Sequence, residues 1–186
     1  MKANRSTIFA FVLLVLAASL YRIWPDRPFG FAPQWAMAIF AGAVIKDRRL
    51  AFLLPIASMF ISDALYQLLF VNGQSSIWGI YEGQLTNYLL FAGLVFFGIL
   101  IRRINWLKII AASLAAPSAF FLLSNLLVWT AGAGFSRPQT FSGLLQCYAD
   151  GVPFYQMSLV STLIFSVILF GVYFFAQARV PKQQLA

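Results

Sequence analysis

The sequence predicts an all-α, polytopic membrane protein with six transmembrane helices, and three observations support this fold class. Hydrophobic residues make up 61% of the 186 residues, charged residues make up only 10%, and the mean hydropathy is +0.83. So few charges do not cover the surface of a soluble domain. The apolar residues fall in long runs, close to the length that crosses a hydrocarbon core of about 30 Å. The ten-residue alternation of an outer-membrane barrel strand is absent from the sequence.

A single transmembrane domain over residues 1–186 accommodates these runs. The predicted helices span about residues 6–24, 34–45, 50–70, 85–101, 107–130 and 156–178. The predicted outer connections are residues 25–33, 71–84 and 131–155, the last with room for a short helix over 138–149. The inner turns are short, so the long outer connections predict that recognition takes place on the outer side.

Each of the first three helices has a sequence signal. Helix 1 ends where Pro25 and Pro28 forbid its continuation, and no small-residue cleavage site follows it, so we expect an uncleaved helix. Helix 2 is rich in alanine and glycine, which predicts a central position because small residues let neighbouring helices approach closely. Helix 3 begins after the charged inner turn 46–49.

The last three helices are bounded in the same way. Helix 4 follows a connection rich in turn-forming and aromatic residues and ends at Arg102 and Arg103. Helix 5 runs from the next inner turn to Thr130. Helix 6 follows the longest outer connection.

The basic residues predict the orientation in the membrane. The outer side carries three of them: Arg22, Arg27 and Arg137. The inner side carries ten: Lys2, Arg5, Lys46, Arg48, Arg49, Arg102, Arg103, Lys108, Arg179 and Lys182. This positive-inside bias predicts that both termini are cytoplasmic, in the inner membrane of a bacterium.

Several function classes are disfavoured. The chain has no histidine, one cysteine and no phosphate-binding loop, so we expect no enzyme, no metal site and no cofactor. The net charge of +8 is concentrated at helix ends, which argues against a nucleic-acid partner and for the lipid bilayer as partner.

The candidate binding site lies in the outer half of the membrane. Asp63 in helix 3 is either a ligand contact in a polar cavity or a hydrogen-bonding group between helices, since a carboxylate at this depth needs a partner. Asn125 in helix 5 has a similar depth, so we expect the two to converge. Tyr66, Asn87 and Trp129 complete an aromatic-walled pocket with few polar anchors. Alternatively, the aromatic residues belong to an interfacial belt and Asn125 only holds helices together.

Two residues of the last outer connection have alternative roles. Cys147 is either a packing residue or, less favoured, a ligand of a soft metal. Asp150 either caps helix 6 or lies at the rim of the pocket, and it completes the predicted substrate-binding set.

Several segments resemble a family of uncharacterised bacterial six-helix membrane proteins, and these segments extend from about residue 31 to residue 171. They are residues 31–43, 46–55, 62–63, 124–129, 143–148 and 153–154. That family is similar to the substrate-binding S components of energy-coupling-factor vitamin transporters, including solitary cobalamin-type members. The resemblance implies a six-helix bundle with a vitamin-sized pocket that opens outward.

S components work with a separate ATPase module or, in solitary cases, alone. Helix 1 lacks the Ala-x-x-x-Ala pattern typical of module docking, and the connection after helix 3 lacks the cysteine of the cobalamin-type members. We therefore expect a small-nutrient binding or uptake protein, with an ATPase module as an open question. The alternative is a non-transporting scaffold or assembly subunit.

Overall fold

The computed structural model describes residues 5–132 and 137–178, with side chains from residue 9 onward. Those residues form an all-α bundle, as predicted. Its helices are α1 (Arg5–Arg22), α2 (Gln34–Val44), α3 (Arg48–Val71), α4 (Gln84–Ile99), α5 (Trp106–Thr130) and α6 (Phe141–Ala178). The first five begin and end within two residues of their predicted bounds.

The sixth helix differs from its prediction. The sequence predicted an outer connection over residues 131–155 with room for a short helix over 138–149. In the structure, α6 is instead one 38-residue helix that runs through Gly151 and Pro153. A proline inside a helix removes one backbone hydrogen bond, and packing against a neighbouring helix can offset that loss. At Gly151 the missing side chain lets α5 approach, since a Cβ there would lie 2.7 Å from the Oδ1 atom of Asn125. The connection therefore shortens to residues 131–140, of which 133–136 lie outside the described residues.

The central helix is α2, as its small residues predicted. It packs against α3, α4, α5 and α6, and residues 36–39 and Ala41 are fully buried. Contact with α4 is closest at two glycines. A Cβ on Gly42 would lie 2.1 Å from the carbonyl oxygen of Val95, and a Cβ on Gly98 would lie 2.0 Å from that of Ile39. The two backbones therefore touch directly.

Short turns cap the helices at the basic end of the bundle. The Asp47 carboxylate accepts hydrogen bonds from the backbone N–H groups of Arg49 at 2.9 Å and Leu50 at 3.4 Å, which satisfies the first turn of α3. Asn105 does the same for α5 by accepting from the N–H of Lys108 at 3.0 Å. These caps fix the turns 45–47 and 100–105 at one end of the bundle. The three longer connections lie at the opposite end.

Three helices, α3, α5 and α6, are long and apolar enough to cross a membrane. The described parts of α1, α2 and α4 are shorter apolar helices. Large apolar side chains cover the outside of the bundle, among them Phe9 and Leu107, which are 70% and 79% exposed. An apolar exterior of this kind suits lipid better than water.

Candidate binding cavity

A cavity of about 550 Å³ lies at the end of the bundle where the connections 23–33 and 72–83 meet. Its volume is in the range of small-molecule sites. Its wall is mainly aromatic: Phe29, Trp35, Tyr66, Trp78, Tyr81, Phe91, Phe120, Phe121, Phe154 and Tyr155. Its polar lining is sparse: Arg22, Arg27, Gln34, Asp63, Asn87, Ser124, Asn125 and Ser158.

Three rings in mutual contact form part of the wall. Trp35 of α2 lies with its ring centroid 4.7 Å from that of Phe91 and 4.6 Å from that of Phe120, and the two phenylalanines are 5.0 Å apart. We call these three residues the aromatic cluster. Because the rings belong to α2, α4 and α5, the cluster also ties three helices together.

Asp63 is buried and fully hydrogen-bonded by the protein. Its Oδ1 accepts from the Arg22 guanidinium, which makes an ion pair between α3 and α1. Its Oδ2 accepts from the Gln84 amide at 3.0 Å and from the Tyr88 hydroxyl at 2.7 Å, both on α4. Of the two predicted roles, these contacts favour the hydrogen bond between helices, although Asp63 also lines the cavity.

Arg22 has further contacts on α3. Its guanidinium donates to the Ser62 hydroxyl at 2.6 Å and lies 5.6 Å from the centre of the Tyr66 ring. The Tyr66 hydroxyl in turn donates to the Arg22 carbonyl oxygen at 2.6 Å. Tyr66 therefore lines the cavity and also holds the end of α1.

The connection 72–83 lies against α3 and contributes Ile77, Trp78 and Tyr81 to the cavity. Gly79 makes this contact possible, because a Cβ there would lie 1.8 Å from the Asp63 carbonyl oxygen. The Gln67 side chain accepts from the backbone N–H groups of Gly79 and Ile80, each at 3.2 Å.

Asn87 lies at the start of α4 and donates to the Tyr81 hydroxyl oxygen at 2.7 Å. Burial raises the pKa of Tyr81 above its ordinary value, and the nearby Asp63 charge acts in the same direction. The phenol therefore keeps its proton at neutral pH. That proton has no acceptor among the described residues, so it is available to a ligand.

On the far side, Asn125 lines the cavity and donates to the Phe121 carbonyl oxygen at 2.8 Å. Asp63 and Asn125 thus share one cavity without a direct hydrogen bond between them. Cys147 is buried behind Asn125, with its sulfur 3.5 Å from the Asn125 carbonyl oxygen. Within residues 5–132 and 137–178, no group of three or more residues suited to holding a metal occurs.

The structure places two of the predicted binding residues outside the cavity lining. The Trp129 indole donates to the Pro138 carbonyl oxygen at 3.0 Å and so fastens the connection 131–140 to α5. Asp150 accepts from Arg137 at 2.9 and 3.0 Å instead of capping a helix, because α6 begins nine residues earlier. Both residues hold that connection in place.

A protein-family model matches residues 2–183, which is nearly the whole chain. The chain belongs to the DUF6580 family. That family is one of unknown function. The chain has no significant match among curated proteins or solved structures.

In this DUF6580 protein, sequence reasoning missed several polar side chains around the cavity, among them Arg22, Arg27, Gln34, Gln84 and Tyr88. One signal was present for Arg22. A carboxylate within a membrane-spanning helix needs a counter-charge, and among the three cations predicted on the outer side, Arg22 and Arg27 are nearest to Asp63 along the chain. Gln84 and Tyr88 are four residues apart and therefore lie on one face of α4.

Proposed function

We propose that this DUF6580 protein binds a small nutrient at the outer face of a bacterial cytoplasmic membrane, as a substrate-binding or uptake subunit and not as an enzyme. The observation that carries the proposal is the cavity of about 550 Å³, with its aromatic wall and few polar groups. This composition is typical of sites that hold vitamin-sized molecules. The resemblance to transporter S components supports the same function.

The proposal includes six spans with both termini in the cytoplasm. The short helix α2 is compatible with this, because its 11 residues are surrounded by four other helices and need not match the lipid thickness. The basic inner turns support the orientation. The cavity would then face outward.

Single-cysteine labelling tests the orientation. In a Cys147→Ser background, we expect a membrane-impermeant maleimide to label Ser76→Cys in intact cells and Arg103→Cys only after lysis. Both positions are exposed, so accessibility depends on the side of the membrane. Labelling of Arg103→Cys alone in intact cells would contradict the orientation.

Mass spectrometry of small molecules released from the gently purified protein tests the binding function. We expect a stoichiometric compound from the wild type and none from Ser124→Phe, because Ser124 lines the cavity and a phenyl ring there would occupy part of the space that a ligand needs. Leu122→Phe is the matched control, since this side chain of the same helix is 53% exposed on the outside. It should retain the compound.

The alternative function is a membrane scaffold or assembly subunit that transports nothing. One observation favours it: both oxygens of Asp63 are occupied by protein donors, so this carboxylate offers a ligand little. If all three proteins release only the same lipids, the scaffold function is supported and the binding function is not.

A further inference from the structure

The cavity contains a positive charge that no carboxylate of residues 5–132 and 137–178 neutralises. The charged residues of its lining are Arg22, Arg27 and Asp63. Arg22 and Asp63 form an ion pair, whereas Arg27 forms none within the described part of the chain. One guanidinium therefore lies at the cavity without a counter-ion.

Neutral groups hold the Arg27 guanidinium in position. Its Nε donates to the Arg22 carbonyl oxygen at 2.9 Å, and its Nη1 donates to those of Phe31 at 2.9 Å and Pro28 at 3.2 Å. Among the described residues, its Nη2 donates only to the Tyr66 hydroxyl, at 3.4 Å. The guanidinium is thus fixed before any ligand arrives, with donor capacity left on Nη2.

Keeping the Arg27 guanidinium half-buried without a counter-ion costs free energy. A half-buried charge loses hydration, and carbonyl dipoles replace only part of it. A ligand anion would supply the missing counter-charge through charge-assisted hydrogen bonds. The free Tyr81 hydroxyl adds a second donor at the same cavity.

We propose that the ligand of this cavity is a small molecule with an acidic group, a carboxylate or phosphate, bound by Arg27, and a flat ring that packs on the aromatic cluster. The inference rests on the proposed binding function and narrows its substrate class. The same acidic chemistry also occurs in anionic lipid headgroups, so the test has to separate the two sources.

A panel of matched acids and amides tests this inference. Benzoate and benzamide, 2-naphthoate and 2-naphthamide, and 9-anthroate and its carboxamide are titrated at pH 7 into protein in phosphatidylcholine nanodiscs. Each pair shares its ring and differs in charge. Binding is measured by quenching of tryptophan fluorescence, because Trp35 and Trp78 line the cavity.

We expect the best-fitting acid to bind roughly tenfold or more tightly than its amide. Arg27→Gln should abolish that preference by weakening the acid alone, and Arg27→Lys should restore part of it. Arg137→Gln, outside the cavity lining, should retain the full preference. The wild-type comparison stands by itself even if Arg27→Gln does not fold.

Equal binding of acid and amide by the wild type, or an acid preference that survives in Arg27→Gln, overturns the inference and leaves the binding function standing. If no member of the panel binds and no compound is released from the purified protein, both proposals fail. A repeat with one third phosphatidylglycerol separates the sources. Acid binding that disappears there assigns Arg27 to a lipid phosphate and overturns the inference for a soluble ligand.

Discussion

Replacing Asp63 by Asn is expected to lower the free energy of unfolding by about 3–5 kcal/mol, the usual cost of removing one partner of a buried ion pair. The Asp63 side chain is 3% exposed, and that of Arg22 is 19% exposed. Without the carboxylate, the Arg22 charge stays in the bundle with no counter-charge. Both carboxylate oxygens of Asp63 accept hydrogen bonds in the wild type. The NH₂ group of the new asparagine would therefore face a donor in either orientation of the amide.

Denaturant titration of the purified protein in detergent measures this loss. The double variant with Arg22→Gln and Asp63→Asn is the control, because it removes both charges together. We expect it to be more stable than the sum of the single losses predicts, by at least about 1 kcal/mol. Additive losses would show that the two side chains do not stabilise each other.

Replacing Gly98 by Ala is expected to separate α2 from α4 and to cost about 1–3 kcal/mol or more. The new Cβ would lie 2.0 Å from the Ile39 carbonyl oxygen and 2.8 Å from the Ala43 nitrogen, and both are backbone atoms that a rotamer change cannot move away. Because α2 contacts four helices, the shift should spread through the bundle.

Gly93→Ala is the matched control on the same helix. A Cβ there meets nothing within 4 Å, so the higher helix propensity of alanine should leave stability unchanged or raise it by up to about 1 kcal/mol. Thermal unfolding of both variants decides the matter. Equal effects at the two positions would mean that the α2–α4 contact is looser than the structure shows.

Hydropathy and turn residues were sufficient to locate α1 to α5, because a membrane-sized run of apolar residues has few alternatives to a helix. The same signals failed at residues 141–155. This segment contains Pro153, and a proline can stay inside a helix whose neighbours support it. Whether they do is a property of the packed bundle, which periodicity along the chain does not encode.

The cavity could be predicted in part. Asp63 and Asn125 do line one cavity, and their depths along α3 and α5 were sufficient to indicate this. Trp129 has a comparable depth but turns toward Pro138, because side-chain direction depends on the rotation of α5 against its neighbours. The sequence signal for Arg22 was not sufficient to assign its contact, since an arginine at a helix end has the same sequence signature whether it faces water or a carboxylate.

Gln84 connects the contacts between α3 and α4 with the connection 72–83. Its amide nitrogen, which carries two hydrogens, lies within hydrogen-bond distance of the Asp63 carboxylate, the Tyr88 hydroxyl and the Gly79 carbonyl oxygen, at 2.9 to 3.0 Å. One side chain therefore contacts both the Asp63 carboxylate between the helices and the connection 72–83 at the cavity. If the connection 72–83 moved to admit a ligand and Gln84 moved with it, Asp63 would lose a hydrogen-bond donor. Ligand entry on that side would then weaken the contacts that hold α3 and α4 together. The Gln84 hydrogen bonds named above all involve residues 63, 79 and 88, so movement of the connection 23–33 alone would leave them intact.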